Sequence, residues 1–151
     1  MKVTDFECPH CRTTHASLAD FLRRHQDRLH FVQLVRPLDP HANAQIAARA
    51  YLCADAQGRA RELSDALFAL DERSADACRD AAEALGLDMD QYDRCVQHPD
   101  TDAQIEQLTA WVDQAGVQGL PVIWIHDQRL VGEQTMMSLE AALARAQRRW
   151  P

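Results

Sequence analysis

Cys8-Pro9-His10-Cys11 is the segment whose residue types and spacing carry chemistry in this sequence of 151 residues. Two cysteines three apart share one face of a helix, so their sulfurs can meet as a dithiol or a disulfide. If the pair opens a helix, Cys8 sits among unpaired backbone N–H groups at the positive end of the helix dipole, which lowers its pKa. Thiolate is the attacking form, so Cys8 is the expected nucleophile and Cys11 the resolving thiol. Pro9 suits the first helical turn, where its missing N–H has no use. His10 stabilises the Cys8 thiolate further when protonated or when it donates a hydrogen bond. Stabilising the reduced form makes the disulfide a stronger oxidant, by about 1.4 kcal/mol per 30 mV for a two-electron couple.

Other chemistries compete for the same residues. Cys8, Cys11 and His15 have the spacing of a zinc half-site, although no second Cys-X-X-Cys or His-X-X-X-His accompanies them. Haem attachment needs histidine directly after the second cysteine, and Arg12 stands there. A purely structural disulfide at this junction is the remaining reading.

The elements that must position the pair follow from pattern. Lys2 to Phe6 reads as a short strand running into the cysteines, and Pro9 to His25 as a helix with Leu18, Phe21 and Leu22 at helical spacing. Leu29 to Val35 reads as a second buried strand, after which Pro37 and Pro40 break regular structure. From about His41 to Gly116 the pattern is helical throughout. Expected helices run over Ala42–Ala54, Arg61–Leu70, Ser74–Leu85 (Ser74 capping, Gly86 stopping) and Asp88–Pro99. Another opens on a Thr101/Gln104 capping box and closes at Gly116. Strand character returns at Gly119–Ile125 and, across a turn at Asp127-Gln128, at Arg129–Val131; Ser138 caps a last helix ending near Arg149. Strands from both ends must meet in one sheet. The expected architecture is therefore α/β, with residues 1–40 and 117–151 forming one domain and 41–116 an inserted all-helical subdomain.

Composition sets the outer bounds. With 46% hydrophobic and 26% charged residues the chain can bury a core. Sixteen Lys+Arg against 23 Asp+Glu give a net charge of −7, which argues against a nucleic-acid grip. Its longest strongly apolar run, Leu120 to Ile125, is too short to span a bilayer. No signal peptide is read in Met1–Asp5.

Phe6-Glu7-Cys8-Pro9-His10-Cys11, the distant Val117-Gln118-Gly119-Leu120-Pro121-Val122 and Gly132 together resemble the DsbA-type thiol–disulfide oxidoreductases of the thioredoxin superfamily. Arg36-Pro37-Leu38, Ala66-Leu67-Phe68 and Leu85-Gly86-Leu87-Asp88 are weaker echoes, and the match runs in order along nearly the whole chain. The resemblance implies a thioredoxin-like fold with a helical insertion, and protein thiol–disulfide exchange without a cofactor or metal. Cys8, Pro9, His10 and Cys11 would form the redox site. It implies a cis peptide before Pro121, exposing the backbone of Leu120 to an extended substrate segment. An edge-strand proline is the plainer reading of Pro121. The implied partners are cysteine-containing substrate proteins and a membrane protein of the DsbB or vitamin K epoxide reductase type that reoxidises the enzyme, acting on a monomer. A reductase or isomerase fed by a thiol donor, and a thiol module holding a soft metal such as Cu(I), are the alternatives. The implied location is an oxidising, extracytoplasmic space, against a cytoplasmic one if Met1 is the native start. One departure stands out: relatives carry a buried acidic residue six positions before the first cysteine, and here that position is Lys2. Proton transfer at Cys11 is expected to work differently, or through water.

Three further cysteines and the histidines complete the inventory. Cys78 and Cys95 lie eight residues to either side of Gly86-Leu87, as a disulfide across an antiparallel helix pair would require, or as two buried thiols. Cys53 is expected as a small core residue. His15, His25, His30, His41, His98 and His126 lack ligand spacing and are expected on the surface or in packing roles. Trp111, Trp124 and Trp150 are read as packing residues, and Met136-Met137 as core or as the lining of a peptide groove. Arg145, Arg148 and Arg149 are read as a solvated helix face.

Overall fold

A computed structural model describes residues 1–149, so the reading of Trp150 falls outside the described residues. Three-residue β1 (Lys2–Thr4) leads into α1 (Pro9–Arg24), which returns the chain to β2 (Gln33–Val35) beside β1. Five helices follow: α2 (Ala44–Asp55), α3 (Ala60–Ala69), α4 (Ala75–Ala84), α5 (Met89–Gln97) and α6 (Pro99–Gln114). β3 (Val122–Ile125), β4 (Gln128–Val131) and α7 (Met136–Arg149) close the chain. The sheet order is β2-β1-β3-β4, with β1 and β2 parallel and the other pairs antiparallel. Lys2 stands opposite Gln33 on one side and Ile123 on the other, so strands from both ends of the sequence share one sheet, as their apolar patterns required.

Alternation of side chains divides the core between the sheet's two faces. Val3 and Val122 join a cluster with Ala47, Tyr51, Leu63, Leu67 and Ile105 from the helices between β2 and β3, to which Phe6, just after β1, and Val35, at the end of β2, also belong. Ile123 and Ile125 meet Leu18, Phe21 and Leu22 of α1 and Leu139, Ala142, Leu143 and Ala146 of α7 on the other face. α2 is the hub of the helical block and packs against α3, α4, α5 and α6. Its buried residues include five alanines, which let neighbouring backbones approach from several sides.

Most boundaries follow the local chemistry, and the differences have local causes. The side chain of Ser74 accepts from the Ala77 N–H and that of Asp88 from Gln91, as capping residues do. Gly86 ends α4 and Gly116 ends α6 at φ of 73° and 69°, a left-handed conformation that a β-carbon disfavours. The expected Thr101/Gln104 box is not the start of α6: His98 caps the helix by accepting from the Asp100 N–H, and Pro99 occupies its first turn. Thr101 is instead spent on a 2.7 Å bond to the Cys95 carbonyl. Ser138 is likewise not a cap but the inner half of a reciprocal pair: its N–H donates to the Thr135 hydroxyl and its Oγ accepts from the Thr135 N–H. The expected strand from Leu29 shrinks to Gln33–Val35, while Leu29 and Phe31 pack against the second cluster without joining the ladder.

The expected Cys78–Cys95 disulfide is corrected. Cys95 pairs with Cys53, across a Cα–Cα distance of 5.7 Å, and Cys78 is a free, buried thiol. The central position of α2 is the reason: α5 presents Cys95 to α2, whereas the Cys78 thiol donates to the Arg73 carbonyl at 3.6 Å. A bidentate Arg79–Asp93 pair, both contacts 2.9 Å, ties α4 to α5 instead. Cys53 is thus a cross-link as well as a core residue.

Candidate active site

Cys8 is the N-cap of α1, with extended backbone angles (φ −69°, ψ 119°), and Pro9 supplies the first helical residue. β1 delivers the chain to this point, and the turn between is fixed by a buried carboxylate. Asp5 accepts from the Glu7 N–H at 2.7 Å, the Leu38 N–H at 2.8 Å and His41 Nδ1 at 2.9 Å. Glu7 in turn accepts from the Asn43 N–H at 2.8 Å, and Arg12 donates to the Leu70 carbonyl at 2.6 Å. The start of the helical block and the end of α3 are therefore laced to the segment that carries the cysteines. His41 earns a positioning role that sequence spacing did not reveal.

The two thiols are unlike. Cys8 is held down to about 6 by the hydrogen bond from the Cys11 thiol and by the backbone N–H groups of Cys11 and His10, against burial that pushes the other way. Cys11, fully buried behind it, is driven far above the ordinary thiol range as the partner that keeps its proton and by burial. At neutral pH the pair holds one thiolate, on Cys8, and one thiol, on Cys11.

Against Cys8 lies the loop before β3. The Leu120–Pro121 peptide is cis, Leu120 and Pro121 are buried, and the Cys8 thiol meets the Leu120 carbonyl at 3.9 Å. Gly132 donates to the Pro121 carbonyl at 2.9 Å and so ties the proline loop to the end of β4. Pro9 and His10 are exposed beside Cys8. The His10 imidazole turns to Glu133, with Nδ1 and Oε1 2.5 Å apart, and this carboxylate raises the histidine's pKa. His10 thus acts on Cys8 through its backbone N–H and through charge, while its ring belongs to Glu133. Glu133 escaped sequence reasoning, because a partner 123 residues away leaves no local signal.

The remaining candidates fall elsewhere. His15 faces Lys2 and Asp65, and among the described residues no three His, Cys, Asp or Glu side chains converge as a metal-holding set. His25 reaches Glu140 of α7 at 2.9 Å. His126 takes a positive φ of 53° in the β3–β4 turn. Trp111, expected in packing, is half exposed, while Met137 is exposed and Met136 packs on the second cluster. Arg149 and Arg145 do more than cover a helix: they bind Asp127 at 2.6 Å and Gln128 at 3.0 Å in the hairpin turn.

A family model described as thioredoxin matches residues 1–145. Among curated proteins, the Na(+)/H(+) antiporter NhaA 3 of Salinispora tropica is 31% identical over 149 residues, 97% of this chain and 22% of that protein. The chain thus spans about a fifth of the length of that relative, and among the described residues no helix is long and apolar enough to cross a membrane. Among solved structures, a thioredoxin-like oxidoreductase from Silicibacter pomeroyi is 26% identical with a TM-score of 0.85, covering 97% of this chain and 84% of that one. The thiol-disulfide exchange protein alpha-DsbA2 of Wolbachia pipientis shares the fold at 17% identity, with a TM-score of 0.84 over 96% of this chain and 79% of that one.

Proposed function

The chain belongs to the thioredoxin family, and from that premise we propose that it is a dithiol–disulfide oxidoreductase that oxidises cysteines of substrate proteins through Cys8 and Cys11. The observation that carries this reading is the asymmetry of the pair: an acidic Cys8 at a helix N-terminus, facing a cis-proline loop, with a strongly basic Cys11 buried behind it.

In the oxidised enzyme, a substrate thiolate attacks Cys8 Sγ. The Cys8–substrate bond forms as the Cys8–Cys11 bond breaks, and Cys11 leaves with the electron pair. Its raised pKa makes Cys11 take up a proton there, which discourages reversal. The second substrate thiolate then attacks the substrate sulfur of the mixed disulfide and expels Cys8. With a pKa near 6, Cys8 departs as a stable thiolate at neutral pH. Two electrons pass from the substrate dithiol to the enzyme. Leu120 and Pro121 would present their backbone to the extended substrate, and a membrane protein of the DsbB or vitamin K epoxide reductase type would reoxidise the pair.

The test uses a reduced, unfolded two-cysteine protein mixed with an equivalent of oxidised enzyme. The reading expects stoichiometric transfer of the disulfide; Cys11→Ser whose Cys8 is first charged as a thionitrobenzoate disulfide should release thionitrobenzoate and accumulate a mixed disulfide with a one-cysteine form of the substrate, and Cys8→Ser treated likewise should accumulate none. Substrate thiols that stay reduced, or a mixed disulfide formed through Cys11 alone, would overturn it.

A further inference from the structure

The Glu133 carboxylate meets the His10 imidazole beside Cys8, and the exchange steps above give that ring no task. His10 comes from the first turn of α1 and Glu133 from just past the end of β4. Both side chains stay open to solvent, 65% exposed at His10 and 48% at Glu133. An exposed ion pair contributes little to stability. Its consequence lies in what it does to the imidazole.

Three contacts place that ring. Cys8 Sγ stands 3.9 Å from the Leu120 carbonyl. The Gly132 N–H donates to the Pro121 carbonyl at 2.9 Å, which carries the β3–β4 pairing one step beyond Val122 and Val131 and brings Glu133 level with Leu120. Glu133 Oε1 then holds His10 Nδ1 at 2.5 Å. The circuit closes through the chain, since His10 is two residues from Cys8. The imidazole is thereby drawn to the side of Cys8 that faces the cis-proline loop. A carboxylate only accepts, so Nδ1 carries the proton of the neutral ring and Nε2 presents its lone pair. Among the described residues no hydrogen-bond partner meets Nε2. The same carboxylate raises the ring's pKa and so makes Nε2 a better proton acceptor. In the reduced protein the Cys8 thiolate acts in the same direction, while Arg12 of α1 donates to the Leu70 carbonyl instead.

We propose that His10 Nε2 is the general base for the incoming substrate thiol, with Glu133 as the residue that positions it. This rests on the oxidoreductase reading. The thiol gives its proton to Nε2 as its sulfur attacks Cys8 Sγ. The substrate–Cys8 bond forms, the Cys8–Cys11 bond breaks, and the electron pair goes to Cys11. Cys11 takes up a proton from water and the exposed imidazolium returns one to water, so the balance closes. A thiol of pKa about 8.5 is only a few per cent ionised at pH 7, so a base at the site can gain at most about thirtyfold.

The test reads the chemistry of Cys8 without a protein substrate. Cys11→Ser protein carrying thionitrobenzoate on Cys8 is mixed at pH 7 with one of two thiols, and release of thionitrobenzoate is timed. One is a one-cysteine peptide, largely protonated; the other is pentafluorothiophenol, fully ionised. Adding His10→Gln is expected to slow the peptide thiol about tenfold and the ionised thiol less than twofold, because only the first has a proton to lose. Slowing that does not differ between the two by at least threefold, absence of slowing included, overturns the general base. Glu133→Gln should slow the peptide thiol at least threefold while 15N spectra show the neutral His10 ring moving from the Nδ1–H to the Nε2–H tautomer. An unmoved tautomer or an unmoved rate overturns the positioning role. Should the enzyme oxidise no protein at all, the contrast between the two thiols still reads the His10–Glu133 pair, so the two failures are distinguishable.

Discussion

At the scale of single residues, Cys8 and Cys11 differ only in position, yet position separates their proton affinities widely. Cys8 is held near 6 chiefly by the Cys11 thiol, with backbone N–H groups behind it; the exposed His10 charge is a smaller influence. Removing the Cys11 side chain (Cys11→Ala) should therefore raise the Cys8 midpoint more than His10→Ala does, as thiolate absorbance against pH would show; the reverse order would contradict the account. The same shift has a consequence for stability. An acidic group whose folded pKa lies below its ordinary value, here 9.0, stabilises the fold fully above that value and loses the contribution as pH falls through the folded one. The oxidised protein has no such thiolate. Denaturation of both forms should show the reduced protein gaining on the oxidised between pH 6 and 9, and a constant difference across that window would contradict the low Cys8 pKa.

At the scale of elements, the helical block between β2 and β3 depends on α2 and on the bond from Cys53 to Cys95. Closing a separation of 42 residues is worth about 4 kcal/mol in the chain-entropy model. The double variant Cys53→Ala/Cys95→Ala should lose stability of that order in denaturant titration while keeping an active Cys8; a loss below about 1 kcal/mol would show that α2 packing alone holds the block. What was legible here depended on range. The caps at Ser74 and Asp88 and the stops at Gly86 and Gly116 were readable because the chemistry lies within three or four residues. The equidistance of Cys78 and Cys95 from the Gly86 turn misled, because it describes an isolated helix pair and is silent about the third helix to which Cys95 turns. His98 displaced the Thr101/Gln104 box because Pro99 admits the helix earlier.

At the scale of the molecule, the site is a meeting of distant segments: the start of α1, the loop before β3 and the end of β4. The Cys-Pro-His-Cys run and the later Gly-Leu-Pro were legible because each is a compact motif. Their juxtaposition, with Cys8 against the carbonyl of Leu120, became visible only in the folded sheet. Glu133 and the contacts of His15 with Lys2 and Asp65 were not legible for the same reason, since nothing in the sequence ties residues 2, 15 and 65 together. The pieces converge on one claim, that the fold favours the dithiol form of the pair over its disulfide. The most direct measurement is the equilibrium of the Cys8–Cys11 pair with a glutathione buffer at neutral pH. The account predicts a potential well above the roughly −270 mV of thioredoxin, with the reduced protein the more stable form. A potential at or below that value, with the oxidised protein the more stable, would contradict it and make the protein a reductase.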